Sequence, residues 1–287
     1  MSEQKAIYGI IGNPLEHSLS PLMHNTAFKA LGVDATYKPF PLKEDQMDQF
    51  FQDLKSKSSP IFGINVTVPY KEKAVEYLDN ISPLVQRIMA VNTIVINKNR
   101  QLVGYNTDAP GFLAHLAELE FEIEGKRIAI LGAGGSARTI IATLCMLPER
   151  PDSIRIYNRS HSRVENLLND LGQRIDLSIV QSVRSVDDLN IELADFLINT
   201  TSLGLKENDE CLVDEDLLHR DMLVYDLIYN PKETALLKAA KKQGAITSNG
   251  LGMLYFQGVL SFQHWANLQL DDEVKKKMRA SLEKSVV

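Results

Sequence analysis

The chain has 287 residues, of which 44% are apolar and 24% charged, with a formal net charge of −6. That length allows two domains with cores of their own, and the composition is that of a globular protein, not a disordered or membrane-embedded one. The negative balance excludes a nucleic-acid surface, which needs clustered Lys and Arg; the most cationic run, Lys275 to Arg279, reads as the solvated face of a C-terminal helix.

At the N-terminus, "AIYGIIG" is a short apolar run broken by Gly9 and Gly12. It predicts a strand, and neither a signal peptide nor a membrane span. "SPLMHNTAFKALG" predicts a helix with Ser20 as its N-cap, Pro21 at the first helical position and Gly32 at the stop. "TYKPFPL" and "IFGINVTV" are further strands, separated by the amphipathic "EDQMDQFFQDLKS". In "INVTVPYKEKA", Val66, Thr67 and Val68 predict a buried strand ended by Pro69, with a helix beginning at Tyr70. Lys71 then lies near the carboxyl end of a strand, where open α/β sheets place their ligands. "NTIVINKNRQLVGYNTD" predicts a hairpin turning at Asn97 to Arg100, an antiparallel element in an otherwise parallel sheet.

After the helix "APGFLAHLAELEF", the polar "EIEGK" leads into what reads as a second domain. From Lys126 the order is strand, glycine loop, helix, strand, helix, strand, which predicts an α/β fold with a parallel sheet. In "KRIAILGAGGSARTIIATL" the turn carries Gly132, Ala133, Gly134, Gly135 and Ser136, and Ala137 replaces the last glycine of the common fingerprint. Glycines at such a turn let the backbone approach a pyrophosphate, whose charge a helix N-terminus favours. Counting about 20 residues onward reaches Asp152, the position of an NAD ribose ligand. Asp152 precedes the strand "SIRIYN" and does not follow it, so it is rejected for that role. The correct strand end carries Asn158, Arg159, Ser160 and Arg163, with no carboxylate for a 2′-hydroxyl but two guanidinium groups for a 2′-phosphate. NADP is therefore expected over NAD. The helices "GMLYFQGVLSFQHWANL" and "DEVKKKMRASLEKS" close the chain.

Cys145 and Cys211 make neither a disulfide framework nor a metal-ligand spacing, and the six histidines are scattered. No metal and a reducing cytoplasm are expected. With no heptad pattern and no obvious apolar stripe, the sequence leaves the oligomeric state open, a homodimer included.

Polar residues recur at the strand ends of the first domain: Ser18, Ser20, Asn65, Thr67, Lys71, Asn92, Asn106 and Asp108. Singly each has an ordinary capping or turn-forming explanation. Together they offer donors for a small acid, with one lysine and one carboxylate able to trade a proton. The blocks "IGNPLEHSLSPLMHNTAF", "NVTVPYKE", "AVNT", "GYNTDAPGF", "LGAGGSAR", "NRSHSR", "NTTSLG", "YDLIYNP" and "GLGMLYFQG", in one order along nearly the whole chain, resemble the shikimate dehydrogenase family.

The resemblance implies reversible reduction of 3-dehydroshikimate to shikimate with NADPH, in aromatic amino acid biosynthesis. It implies a discontinuous substrate domain with a mostly parallel mixed sheet, residues 1–108 and 252–287, and a Rossmann-type NADP domain, residues 109–251. Lys71 and Asp108 resemble the catalytic pair, and Ser18 and Ser20 the pair holding the substrate carboxylate. Asn65, Thr67, Asn92, Tyr229 and Gln257 resemble groups around the ring, and Thr200, Thr201, Leu227 and Gly250 those on the nicotinamide side. One departure is Met89, where the family commonly has glycine. A quinate or dual quinate/shikimate dehydrogenase using NAD or NADP is the nearest rival. A non-catalytic sensor of the same ligands is the rival of another class, and the intact Lys71, Asp108 and Gln257 count against it.

Overall fold

Apolar runs bounded by glycine or proline form the strands, and the amphipathic stretches between them form the helices. The computed structural model describes residues 5–206 and 208–286. The chain groups into two compact units, Met1–Phe112 with Leu254–Ser285, and Leu113–Met253 with Val286–Val287. These divisions fall inside helices that begin at Asp108 and Leu251, a few residues beyond the expected crossings.

In chain order the first elements are β1 (Ala6–Gly12), α1 (Ser20–Leu31), β2 (Ala35–Pro41), α2 (Met47–Lys55), β3 (Ile61–Val66), β4 (Asn80–Ile81), α3 (Pro83–Ile88), β5 (Thr93–Ile96), β6 (Leu102–Tyr105) and α4 (Asp108–Glu118). Then come β7 (Arg127–Leu131), α5 (Gly135–Met146), β8 (Ser153–Tyr157), α6 (His161–Gly172), β9 (Val180–Ser182), β10 (Phe196–Asn199), β11 (Leu223–Asp226), α7 (Ala235–Lys242) and β12 (Ile246–Asn249). Helices α8 (Leu251–Ala266) and α9 (Asp272–Glu283) end the chain.

The first sheet has the order β2-β1-β3-β5-β6-β4, and β5 alone runs against its neighbours. Its core gathers Ile11, Phe51, Ile64, Val91 and Ile94, and α9 packs back against α1. The second sheet, β12-β11-β10-β7-β8-β9, is parallel throughout. Numbered within the unit it is the 3-2-1-4-5-6 order of a doubly wound fold, whose direction of winding reverses between β7 and β10. Among the described residues no helix is long and apolar enough to cross a membrane. The cationic run on α9 is solvated and paired: Lys277 meets Glu273 at 2.6 Å and Arg279 meets Glu283 at 3.2 Å, while Val274, Met278 and Leu282 face inward.

Two local expectations are corrected. Leu19, not Ser20, is the N-cap of α1; Leu19 already has helical dihedrals, so Ser20 and Pro21 are the first two helical residues and the Ser20 hydroxyl is not used as a cap. Strand β3 stops at Val66. Although Thr67 still bonds to Ile11 of β1 and Val68 to Asn13 just beyond it, Val68 is 56% exposed, and Tyr70 begins a turn followed by a short 3-10 segment at Lys73–Tyr77.

Met89 is the C-cap of α3, with φ 54° and ψ 40°. A side chain in this left-handed region costs roughly 1–2 kcal/mol, which glycine avoids. Met89→Gly is therefore expected to stabilise the protein by about 1 kcal/mol, after allowance for the greater freedom glycine gives the unfolded chain. Thermal melts should show a higher midpoint; a lower one would mean that Met89 contributes more by packing than it loses by strain.

His24 is fully buried, stacked on Tyr37 at 4.5 Å and tilted against Trp265 at 5.0 Å, and neither ring nitrogen has a hydrogen-bond partner. Burial lowers its pKa from 6.5 to about 3. Below pH 6.5 the unfolded chain takes up a proton that the native state refuses, so stability is complete above that pH and falls as pH drops toward 3. The loss reaches about 2 kcal/mol near pH 5 at roughly 1.4 kcal/mol per pH unit. His24→Phe should remove this loss. Urea unfolding followed by the fluorescence of Trp265, the sole tryptophan, should show a larger gain for the variant at pH 5 than at pH 8. Equal gains at both would refute it.

Candidate active site

The turn after β3 carries Lys71 inward: its carbonyl accepts from the Val91 N–H at 2.8 Å, which fixes the turn against the segment entering β5. Lys71 is 8% exposed and its Nζ donates to Asp108 Oδ2 at 2.6 Å. Asp108 opens α4, whose N-terminus favours its negative charge, and Asn106 Oδ1 accepts from the Ala109 N–H beside it. Because β5 runs antiparallel between β3 and β6, both ends of the β5–β6 hairpin lie at one sheet edge. Asn92 and Thr93 are there at its start, and Thr107 and Asp108 just after its finish. The turn at Asn97–Arg100 is at the other edge, where Arg100 donates to the carbonyls of Leu54 and Ile61.

Asn92 links these pieces. Its Oδ1 accepts from the Thr107 N–H at 2.7 Å, and its Nδ2 lies 2.8 Å from Asp108 Oδ1, 2.9 Å from Thr107 Oγ1 and 3.2 Å from Gln257 Oε1. The carboxylate is thus held at one oxygen by an amide and at the other by the ammonium. Asn65 lies deeper. Its Oδ1 accepts from the Tyr37 hydroxyl at 2.7 Å, and its Nδ2 faces the Asn92 carbonyl, Thr93 Oγ1 and Ser261 Oγ. Gln257 reaches the cluster because α4 and α8 nearly touch: a Cβ on Gly111 would lie 2.8 Å from the Gln257 backbone nitrogen.

Ser20 is buried and Ser18 half-buried, and neither hydroxyl is spent on another described group. Thr67 is partly buried, with its hydroxyl likewise unspent. Tyr229 belongs to the second unit, in the segment after β11. Tyr37, Thr93, Thr107 and Ser261 were not singled out from the sequence. Thr93 and Thr107 were within the quoted blocks "AVNT" and "GYNTD", and Ser261 is one helical turn beyond Gln257 on the same face.

In the second unit, Gly132 has φ 106°, and a Cβ there would meet Thr200 Oγ1 at 2.4 Å. The glycine turn and the Thr200 loop therefore meet at the point where the strand order reverses. A Cβ on Gly134 would meet nothing within 4 Å, and α5 begins with no side-chain cap and no acidic residue in its first turn. Open backbone at an uncapped, uncontested helix N-terminus fits a pyrophosphate. Ala137 is fully buried, the small residue that close helix packing requires. Beyond β8, Arg159 and Arg163 are exposed and neither forms an ion pair among the described residues; Glu165 instead faces His161 at 3.2 Å. Asp152 is exposed and precedes β8, as expected.

A buried carboxylate missed in the sequence shapes the remaining loops. Asp226 ends β11 in register with Asn199 of β10 and accepts from Asn199 Nδ2 at 3.0 Å, Thr234 Oγ1 at 2.7 Å and the Ile228 N–H at 3.0 Å. Burial raises its pKa against these bonds. Asn199 Oδ1 in turn accepts from the Thr201 N–H and hydroxyl, while Thr200 Oγ1 donates to the Leu131 carbonyl. Gly250 is required by close approach, since a Cβ there would lie 2.0 Å from the Leu227 carbonyl oxygen.

A doubly wound unit with an open glycine turn, and a second unit holding a buried lysine–aspartate pair, define the class of two-unit α/β dehydrogenases. Residues 10–94 match the family model of the shikimate dehydrogenase substrate binding domain, and residues 115–218 that of shikimate / quinate 5-dehydrogenase. The chain belongs to the shikimate dehydrogenase family. It is 42% identical over 273 residues, 94% of each chain, to a shikimate dehydrogenase (NADP(+)) of Carboxydothermus hydrogenoformans. The shikimate dehydrogenase of Aquifex aeolicus superposes with a TM-score of 0.85 at 34% identity, covering 97% of this chain and 98% of that one. That of Thermus thermophilus, in complex with NADP(H) and shikimate, gives 0.82 at 30% identity, covering 98% and 100%.

Proposed function

We propose that this chain catalyses the reversible NADP-dependent reduction of 3-dehydroshikimate to shikimate, a step of aromatic amino acid biosynthesis. The observation that carries the reading is the buried Lys71–Asp108 pair, 2.6 Å apart, in a family whose relatives bear that activity in their names. Bound NADPH would supply the hydride, chemistry that belongs to the nicotinamide. As the substrate ketone is reduced, negative charge builds on its oxygen; Lys71 donates a proton there and stabilises the charge before transfer. Asp108 keeps the ammonium aimed, and Asn92 keeps Asp108 aimed. In the reverse direction Lys71 takes the proton from the shikimate hydroxyl. Ser18 and Ser20 donate their unspent hydroxyls to the substrate carboxylate, and Thr67, Tyr229 and Gln257 bear on the ring.

The residues that would hold the cofactor are Gly132 to Ser136 at the pyrophosphate, Asn158 to Arg163 at the 2′-phosphate, and Thr200, Thr201, Leu227 and Gly250 on the nicotinamide side. Both cysteines are free, which agrees with work in a reducing cytoplasm. The name of the second matching family model includes quinate, so the assay has four arms. Purified protein mixed with shikimate or quinate and NADP or NAD is followed by reduced-cofactor absorbance, with shikimate and NADP expected to give the highest kcat/KM. Preference for quinate would move the assignment to the rival dehydrogenase. Silence in every arm, with ligand still bound, would favour the sensor.

A further inference from the structure

Beneath the Lys71–Asp108 pair lies a layer of three buried hydroxyls, Thr93 and Thr107 flanking the β5–β6 hairpin and Ser261 on α8. Ser261 Oγ is 2.7 Å from Thr93 Oγ1, 3.0 Å from Thr107 Oγ1, 3.1 Å from Asn65 Nδ2 and 2.9 Å from the carbonyl of Gln257. The carbonyl can only accept, so this contact is a hydrogen bond with Ser261 as donor. With its proton on that carbonyl, Ser261 Oγ accepts from the two threonine hydroxyls, each of which also lies 3.1 Å from Asn92 Oδ1.

That polarity leaves Thr107 Oγ1 free to accept from Asn92 Nδ2 and Thr93 Oγ1 free to accept from Asn65 Nδ2. The other amide hydrogen of Asn92 goes to Asp108 Oδ1, and the other of Asn65 to the Asn92 carbonyl. With Asn92 Oδ1 taking the Thr107 N–H and Asn65 Oδ1 the Tyr37 hydroxyl, each of these buried hydrogens has an acceptor. With Ser261 receiving both threonine protons, Asn92 Oδ1 is left to the Thr107 N–H and the two threonine oxygens to the asparagine amides.

We propose that Ser261 is a positioning residue for the reaction: it sets the direction of the hydroxyl layer and thereby fixes the Asn92 amide that aims Asp108 at Lys71. Its partner Asn65 acts in the same layer, supporting the Asn92 backbone. Without Ser261 Oγ the two threonine protons turn toward Asn92 Oδ1 and each other, and Thr107 ceases to be an obligatory acceptor for Asn92.

The inference rests on the dehydrogenase reading above, and its test separates the two. Ser261→Ala removes one oxygen and improves helix propensity, so the variant folds. In it, kcat for shikimate oxidation should fall about tenfold, as expected for slight misplacement of a reacting group, with KM for NADP within about twofold of the parent. In the ligand-free protein, NMR should show the Asn92 side-chain amide, assigned by its loss in Asn92→Asp, exchanging with solvent about tenfold faster. A serine with a structural role alone would lower the melting temperature and leave both readouts unmoved, which overturns the proposal. Unchanged amide exchange, or faster exchange with parental kcat, overturns it equally. A parent protein inert toward shikimate would overturn the functional reading instead, while the exchange measurement still decides whether Ser261 fixes Asn92.

Discussion

Replacing Lys71 by alanine is expected to lower turnover by roughly 10²- to 10⁴-fold, or about 3–5 kcal/mol of transition-state stabilisation. Two contributions are lost together. The proton donor disappears from a buried site, and the developing oxyanion loses the ammonium that stabilises it. The deletion also strands Asp108 Oδ2, and a buried charge without its partner is costly. The loss in kcat should therefore be measured on protein shown by NADP binding to be folded. Asp108→Asn keeps the shape and one acceptor oxygen, so it should fold normally and lose about 10²-fold in kcat through misaim of the ammonium. Near-parental turnover of Lys71→Ala would end the proton-transfer assignment, whatever became of Asp108→Asn.

The second large effect concerns the cofactor. Arg159→Gln should raise KM for NADP by roughly 10- to 100-fold and leave KM for NAD within about threefold. Arg159 is exposed and unpaired among the described residues, so its charge is available to a ligand phosphate. Hydrogen bonds to a charged group contribute about 1.5–3 kcal/mol, and each 1.4 kcal/mol is about tenfold in affinity. Because NAD lacks the 2′-phosphate, its binding does not draw on that contact. Equal losses for both cofactors would assign Arg159 to loop structure.

Much of this molecule was legible in its residues, for identifiable reasons. A continuous apolar run and the glycine turn mark β7 and α5 locally, and the position of Asp152 before β8 could be judged from strand order alone. Lys71 and Asp108 could be placed near strand ends from the pattern, and the resemblance of their blocks to the family singled them out as a pair. The deeper layer was not legible, since Tyr37, Thr93, Thr107 and Ser261 acquire their roles from strand register and from a helix more than 150 residues downstream of Thr93. Asp226 and Asn199 were hidden similarly, their bond depending on which strands are neighbours. The N-cap of α1 was misjudged because composition favours serine, whereas the chain enters the helix one residue earlier at Leu19. For Met89 the residue type announced a departure, but only its dihedral angles reveal the strain.

The antiparallel course of β5 has a mechanical corollary. Thr93 pairs with Tyr105 and Ile96 with Leu102, so the spacing between the amide of Asn92 and the carboxylate of Asp108 is dictated by how the chain reverses at Asn97–Arg100, a strand's length of about 14 Å away. A slip of one position at that reversal would send Asn92 and Thr107 to opposite faces and dissolve the clamp on Asp108. Arg100, pinned to Leu54 and Ile61 at the opposite end of these strands, thus acts as the index mark by which the chemistry is kept in alignment.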